Sequence, residues 1–215
     1  RATAEMFARA GARLVLASRS AAELDEGVAA IESLGGRAIA VPTDVRDKSQ
    51  VDRLVATALD RFHQVDILVN NAGVARHAYV LDTPEEDWDL TFDVNVKGVF
   101  LCCQAVLPHM IARHSGKIIN VSSGAGLHGS AWKAAYSASK FAVIGFSESL
   151  AAEVGRYGIN VNTICPGPVA TAMRARSYPF EKPKLLPQPD EVANLALFLA
   201  SDDARTIHNA VIRVG

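Results

Sequence analysis

The run Tyr136-Ser-Ala-Ser-Lys140 sets a phenol and an ammonium four residues apart in a segment patterned as a helix, so both side chains share one face about a turn apart. A phenol with its usual pKa of about 10 is a poor acid or base at neutral pH, and a neighbouring cation favours the phenolate. Such a pair could protonate a carbonyl oxygen or take the proton from an alcohol. A lone Tyr-x-x-x-Lys is more often an accident of a surface helix. Here Ser123, thirteen residues before Tyr136, follows the apolar run 117–121 and precedes the turn Gly124-Ala-Gly126. A hydroxyl at the carboxyl end of a parallel strand is where substrate is met.

The elements that must position these groups are legible as a pattern. Short Val/Ile/Leu-rich runs at 13–17, 37–41, 66–69, 116–121, 159–164 and 210–214 alternate with helix-patterned segments at 2–10, 21–34, 48–62, 84–113, 134–157 and 190–200. Alternation of this kind is the sequence form of βαβ units on a buried parallel sheet. The expected fold is α/β: a Rossmann-like, doubly wound parallel sheet with helices on both faces, one domain over 1–215. Pro84 is expected in the first helical turn with Thr83 as N-cap. Gly11, Gly35 and Gly158 are placed to end helices in the left-handed conformation. The stretch 167–189, with five prolines, is expected to be a loop.

Composition excludes several classes. With 22 basic and 23 acidic residues the net charge is −1, which offers no electrostatic footprint for nucleic acid or an anionic membrane. Cys102, Cys103 and Cys165 have no metal-type spacing, so no metal is expected and the three read as reduced core residues. No uninterrupted apolar run suggests a membrane span and no leader pattern is present, so a cytoplasmic enzyme is expected. The chain opens within a helical pattern (Ala4, Phe7, Ala8). An open parallel sheet holds a dinucleotide where its first strand meets its first helix through a glycine-rich turn, and that strand and turn are expected to precede Arg1.

Five motifs in order carry a resemblance to the short-chain dehydrogenase/reductase family over nearly the whole chain: Asp44-Val45, Asn70-Asn71-Ala72-Gly73, Asn95, the Ser123, Tyr136 and Lys140 set, and Pro166-Gly167-Pro168-Val169-Ala170-Thr171. Within the family the pattern is similar to 3-oxoacyl-carrier-protein reductases and to polyol and sugar dehydrogenases. The resemblance implies that Tyr136 passes a proton to or from the substrate oxygen and that Ser123 hydrogen bonds the same oxygen. Lys140 would lower the phenol pKa and bind the nicotinamide ribose, and Asn95 would hold a water that relays protons to Lys140. Asp44 and Val45 would border the adenine, Asn71, Ala72 and Gly73 the turn beside the cofactor, and Pro166, Gly167, Val169 and Thr171 the carboxamide.

Cofactor choice turns on Leu16-Ala17-Ser18-Arg19. An acidic residue there would bind the 2′-hydroxyl of NAD, whereas a cation pairs with the 2′-phosphate of NADP. Ser18 and Arg19 therefore predict NADP(H), with NAD(H) the alternative. The substrate is expected to be a small-molecule carbonyl or alcohol. The helices at 84–113 and 134–157 resemble those that pair across subunits, which implies a homodimer or homotetramer. Trp88 and Trp132 are expected to pack or to wall a pocket, and His128 either to touch substrate or to face solvent. The family's Thr-Gly-x-x-x-Gly-x-Gly turn is not in the chain, although Arg1-Ala-Thr-Ala is similar to the residues that follow it; 171–187 is shorter than the usual substrate loop; and Asn209 replaces a glycine. The competing readings are a dinucleotide-binding sensor or scaffold without turnover and a truncated, inactive fragment. A sensor tends to lose the tyrosine or lysine, and both are kept.

Overall fold

The computed structural model describes residues 1–215. Its strands match the expected apolar runs to within two residues at each end: β1 (Arg13–Ser18), β2 (Arg37–Pro42), β3 (Ile67–Asn70), β4 (Gly116–Val121), β5 (Ile159–Pro166) and β6 (Val211–Val214). All pairings are parallel. β1 pairs with β2, and the other four form a ladder in the order β3-β4-β5-β6, with no strand pairing between the two ladders. The register aligns Asn70 with Asn120, Val121 with Ile164, and Pro166 with Val214. The segments that follow β3, β4 and β5 therefore leave the sheet along one edge.

Eight helices flank these strands: α1 (Ala2–Arg9), α2 (Ala21–Ser33), α3 (Lys48–Phe62), α4 (Glu85–Phe92), α5 (Gly98–Arg113), α6 (Ala134–Val154), α7 (Ala172–Ser177) and α8 (Pro189–Ala200). Successive side chains of a strand point to opposite faces. In β4, Ile118 joins the core under α5 and α6 with Met110 and Val143, while Ile119 joins the core under α1 and α8 with Phe7 and Leu199. Both isoleucines are essentially inaccessible to water, and each such burial stabilises by about 1.5–3 kcal/mol. Helices thus cover both faces, as a doubly wound sheet requires.

Local chemistry explains the ends. Ser20 caps α2 by accepting from the Glu23 N–H, and Asp47 caps α3 by accepting from Ser49 and Gln50. Gly158 has φ +69° and a Cβ there would meet the His114 carbonyl oxygen at 2.8 Å, so no other residue fits. Asn209 adopts φ 58°, the left-handed conformation expected of it.

Three expectations need correction. Pro84 is itself the N-cap rather than the first helical residue, and the Thr83 hydroxyl instead donates to the Tyr79 carbonyl. The stretch 167–189 is not wholly a loop: Thr171 accepts from the Arg174 N–H and starts α7. Finally, Glu85–Arg113 is continuous as one helical rod, with mean hydropathy 1.4 over its most apolar stretch, and is long and apolar enough to cross a membrane. Polar residues interrupt that stretch, so counting uninterrupted apolar runs misses it. Half of it is buried within the domain, where Cys103, Val106 and Met110 form part of the main core.

Candidate active site

Ser123 and α6 are locked together by the glycine turn between them. Ser123 leads out of β4 and its Oγ accepts from the Ala125 N–H at 3.1 Å. A Cβ on Gly126 would lie 2.8 Å from the Lys140 carbonyl oxygen, so only glycine lets the turn seat on the helix. The Ser122 hydroxyl donates to that same carbonyl at 2.8 Å. This arrangement brings Ser123, Tyr136 and Lys140 into one cluster, with the serine hydroxyl within reach of the phenol.

Lys140 is 5% exposed and has no carboxylate partner. Its ammonium donates once, to the Val121 carbonyl at 2.9 Å, which leaves two of its three N–H groups without an acceptor in the protein. Burial pushes its pKa down to about 8, against a smaller upward pull from Cys165. Burial pushes the Tyr136 phenol up, and the Ser123 hydroxyl opposes this. A phenol lowered by the ammonium is therefore not what the chain alone displays: Nζ stands 5.9 Å from the Tyr136 ring centre and turns toward Val121.

Asn95 lies in a π-helical turn, Asp93–Lys97, between α4 and α5. Such single-turn bulges gather at functional sites. The residue is wholly buried; Nδ2 donates to the Val74 carbonyl and to Ser139 Oγ, both at 3.0 Å, and Oδ1 accepts from the Val74 N–H at 2.8 Å. The loop Asn71–Gly73, which follows β3, is thereby held over Lys140. A Cβ on Gly73 would be 3.3 Å from Asn95 Oδ1 and 3.6 Å from Lys140 Nζ, so both groups approach one point.

The turn after β5 backs onto Ser123: a Cβ on Gly124 would meet the Pro166 carbonyl oxygen at 3.5 Å and Gly167 Cα at 3.9 Å. Val169 is buried, and Thr171 caps α7. Ser18 and Arg19 lie apart from this cluster, at the end of β1, with Arg19 exposed. Asp44 follows β2, and its carboxylate is held by the Arg46 guanidinium through three hydrogen bonds of 2.6 to 3.1 Å, which keeps its pKa below the ordinary carboxylate value. Val45 connects the two regions, because a Cβ on Gly98 at the start of α5 would meet its side chain at 2.7 Å.

Residues 1–182 match the short chain dehydrogenase family profile. The chain belongs to the short-chain dehydrogenases. It is 41% identical over 210 residues to a 3-oxoacyl-[acyl-carrier-protein] reductase of Synechocystis, covering 95% of this chain and 85% of that one. It is 38% identical to the (2S)-[(R)-hydroxy(phenyl)methyl]succinyl-CoA dehydrogenase subunit BbsD of Thauera aromatica, over 99% and 88% of the two chains. Its structure is similar to that of levodione reductase, with TM-score 0.94 and 30% identity over 99% of this chain and 90% of that one. NAD+-bound xylitol dehydrogenase gives TM-score 0.93 and 28% identity over 99% and 92%.

Short-chain dehydrogenases are oxidoreductases that act on alcohol and carbonyl groups with a nicotinamide dinucleotide, and the residues here fit that group. The two free N–H groups of Lys140 suit ribose hydroxyls, and Gly73 leaves open the space that a side chain would fill beside them.

The sequence reading missed one aromatic neighbour of Tyr136. His77 lies between Tyr136, Trp132 and Tyr178, at ring-centre distances of 6.1, 5.9 and 6.1 Å. Burial, then Lys133, then Arg174 push its pKa below the ordinary histidine value. His128 is exposed, the second of its two expected placements. Trp132, half-exposed and in the unusual φ of 73°, packs against His77 and Tyr178; Trp88 stacks on Phe92 at 4.8 Å.

Proposed function

We propose that this chain is an NADP(H)-dependent oxidoreductase that interconverts a small-molecule carbonyl and a secondary alcohol, with Tyr136 as general acid and base. The observation that carries the reading is the buried, carboxylate-free Lys140, packed beneath Gly73 with Ser123 and Tyr136 alongside. An ammonium buried without a counter-charge is costly unless a ligand completes its hydrogen bonds. When bound, the nicotinamide supplies or accepts the hydride.

The side chains do the rest. In the reducing direction the Tyr136 O–H gives its proton to the carbonyl oxygen, while the Ser123 O–H donates to the same oxygen and holds it in place. The Lys140 ammonium stabilises the phenolate that results and binds ribose hydroxyls. Asn95 fixes the Asn71–Gly73 loop, and the remaining lone pair on its Oδ1 holds a water that relays protons to Lys140. Pro166, Gly167, Val169 and Thr171 would receive the carboxamide, and Asp44 and Val45 the adenine. Arg19, exposed and without an ion-pair partner, would meet the 2′-phosphate of NADP, with Ser18 beside it.

Exposed Phe100 on α5 and Phe141 on α6, with Phe100 packed edge-on to Phe146 at 6.3 Å, support a homodimer or homotetramer through these helices. The enzyme would work in the cytoplasm. The test is absorbance at 340 nm with NADPH and NADH against β-ketoacyl thioesters, sugars, polyols and simple ketones. Tyr136→Phe is expected to lose turnover while still binding cofactor; unchanged turnover would overturn the assignment.

A further inference from the structure

We infer that the region beside Tyr136 has a second recognition end, in which Lys133 binds a carboxylate on the substrate alongside the rings of His77 and Tyr178. The inference rests on the oxidoreductase reading and adds the substrate class, an oxo acid or hydroxy acid. Lys133 immediately precedes α6, three residues before Tyr136, so the two side chains leave neighbouring positions on one side of the helix start, with Cβ atoms separated by about 5–6 Å. Its ammonium lies 5.3 Å from the Tyr178 ring centre and has no carboxylate within salt-bridge distance, although the residue is half-buried.

The neighbouring cation is differently placed. Arg174 is committed to Glu181 through bonds of 2.6 and 2.7 Å and lies 3.7 Å from the Tyr178 ring centre, where it stacks on the ring. That pair flanks Tyr178, and Lys133, which Glu181 senses electrostatically without forming an ion pair, keeps its N–H groups free for a ligand. The surrounding segment is strongly cationic: Arg174, Arg176, Lys182 and Lys184 face a single acid, Glu181, within 171–187, in a chain whose net charge is −1. Burial, Lys133 and Arg174 lower the pKa of His77, so its neutral imidazole is favoured beside them. One turn along α6, Ser137 is buried and its hydroxyl lacks a hydrogen-bond partner. Its Cα–Cβ bond tilts toward the helix start that Lys133 occupies.

A cation held half-desolvated against aromatic faces discriminates between an acid and its ester by charge alone, since their shapes are nearly equal. The experiment compares kcat/KM for matched pairs of a keto acid and its methyl ester in the parent, Lys133→Met and Lys133→Arg proteins. The parent is expected to favour the acid about 10- to 100-fold, Lys133→Met to bring the ratio close to one through KM for the acid, and Lys133→Arg to keep the preference. Benzoate, which cannot react, is expected to quench Trp132 fluorescence in a Trp88→Phe background and to do so at least tenfold more weakly when Lys133 is methionine. A parent that reduces esters as well as acids, or a ratio that survives Lys133→Met, overturns this inference and leaves the oxidoreductase reading intact. Failure to turn over any carbonyl compound with either cofactor overturns both.

Discussion

Replacing Asn120 by leucine tests whether one buried polar ladder holds the site-bearing elements in register. Asn120 is wholly inaccessible, one residue before the end of β4. Its Oδ1 accepts from Asn70 Nδ2 at 2.8 Å and its Nδ2 donates to Ser147 Oγ at 2.8 Å; the Ser147 hydroxyl passes on to the Val143 carbonyl at 2.6 Å. The ladder thereby joins the end of β3, which leads into Asn71–Gly73, to the strand that leads to Ser123 and the helix that carries Tyr136 and Lys140. Leucine is close to asparagine in shape but breaks both links. Asn70 then keeps only a weak contact to Cys103 Sγ at 3.3 Å, an unsatisfied amide that costs about 1–3 kcal/mol, and the lost bond to Ser147 adds about 0.5–1.5 kcal/mol. The expected destabilisation is about 2–4 kcal/mol, large against a typical total of about 5–15 kcal/mol, and it is read from urea unfolding of the parent and the variant.

Catalysis should fall as well, because a shift of about 1 Å between reacting groups costs about 100-fold. The double variant Asn70→Leu/Asn120→Leu removes donor and acceptor together. It should be less destabilised than the two single effects added, by about 0.5–3 kcal/mol. Strict additivity, or an Asn120→Leu protein within about 0.5 kcal/mol of the parent, would show that the ladder does not couple these elements.

Three further outcomes are expected. Burial lowers Lys140 from 10.5 to about 8, so between those pH values the unfolded chain holds more protons than the folded one, and the Lys140 contribution to stability rises with pH across that window and is flat below it. The rise is on the order of 3 kcal/mol at most, and urea midpoints at pH 7.5 and 10.5 should show it in the parent and not in Lys140→Met; equal slopes would refute the burial argument. Arg19→Glu should raise KM for NADPH at least tenfold and turn preference toward NADH in initial-rate assays, and an unaltered preference would remove Arg19 from cofactor choice. Phe100→Glu with Phe141→Glu should shift the particle mass measured by light scattering toward the monomer, whereas an unchanged mass would place the subunit contact elsewhere.

The strands and the order of the site residues were readable because they depend on local rules. Apolar β-branched runs such as Lys117-Ile-Ile-Asn-Val121 form strands, and a spacing of four on a helix puts Tyr136 and Lys140 on one face. Features set by distant contacts were not. The π turn that turns Asn95 toward Val74 leaves no periodic signal, because one extra residue in a helical pattern looks like ordinary drift. The six-residue α7 sits in a proline-rich stretch whose breakers dominate the pattern, although Thr171 before Ala-Met-Arg carried the N-cap signal that starts it. His77 is separated from Tyr136 by 59 residues and reaches it only because the segment after β3 folds back, pairing Ala78 with Lys133.

The state of Tyr136 shows what spacing alone cannot convey. From the sequence, the ammonium lowers the phenol pKa; in the fold, burial acts on both groups and drives each toward its neutral form, the phenol up and the lysine down. A neutral phenol gains little from a cation 5.9 Å from its ring centre. In the proposed reaction, once the proton leaves for the substrate oxygen, the phenolate and the ammonium would share the same poorly solvated space, where their attraction is several times stronger than in water. In the proposed mechanism Lys140 would therefore act mostly on the charge that develops during the transfer and little on the resting tyrosine. An interaction that strengthens toward the transition state accelerates the step, whereas one already present at rest would have stabilised both states alike.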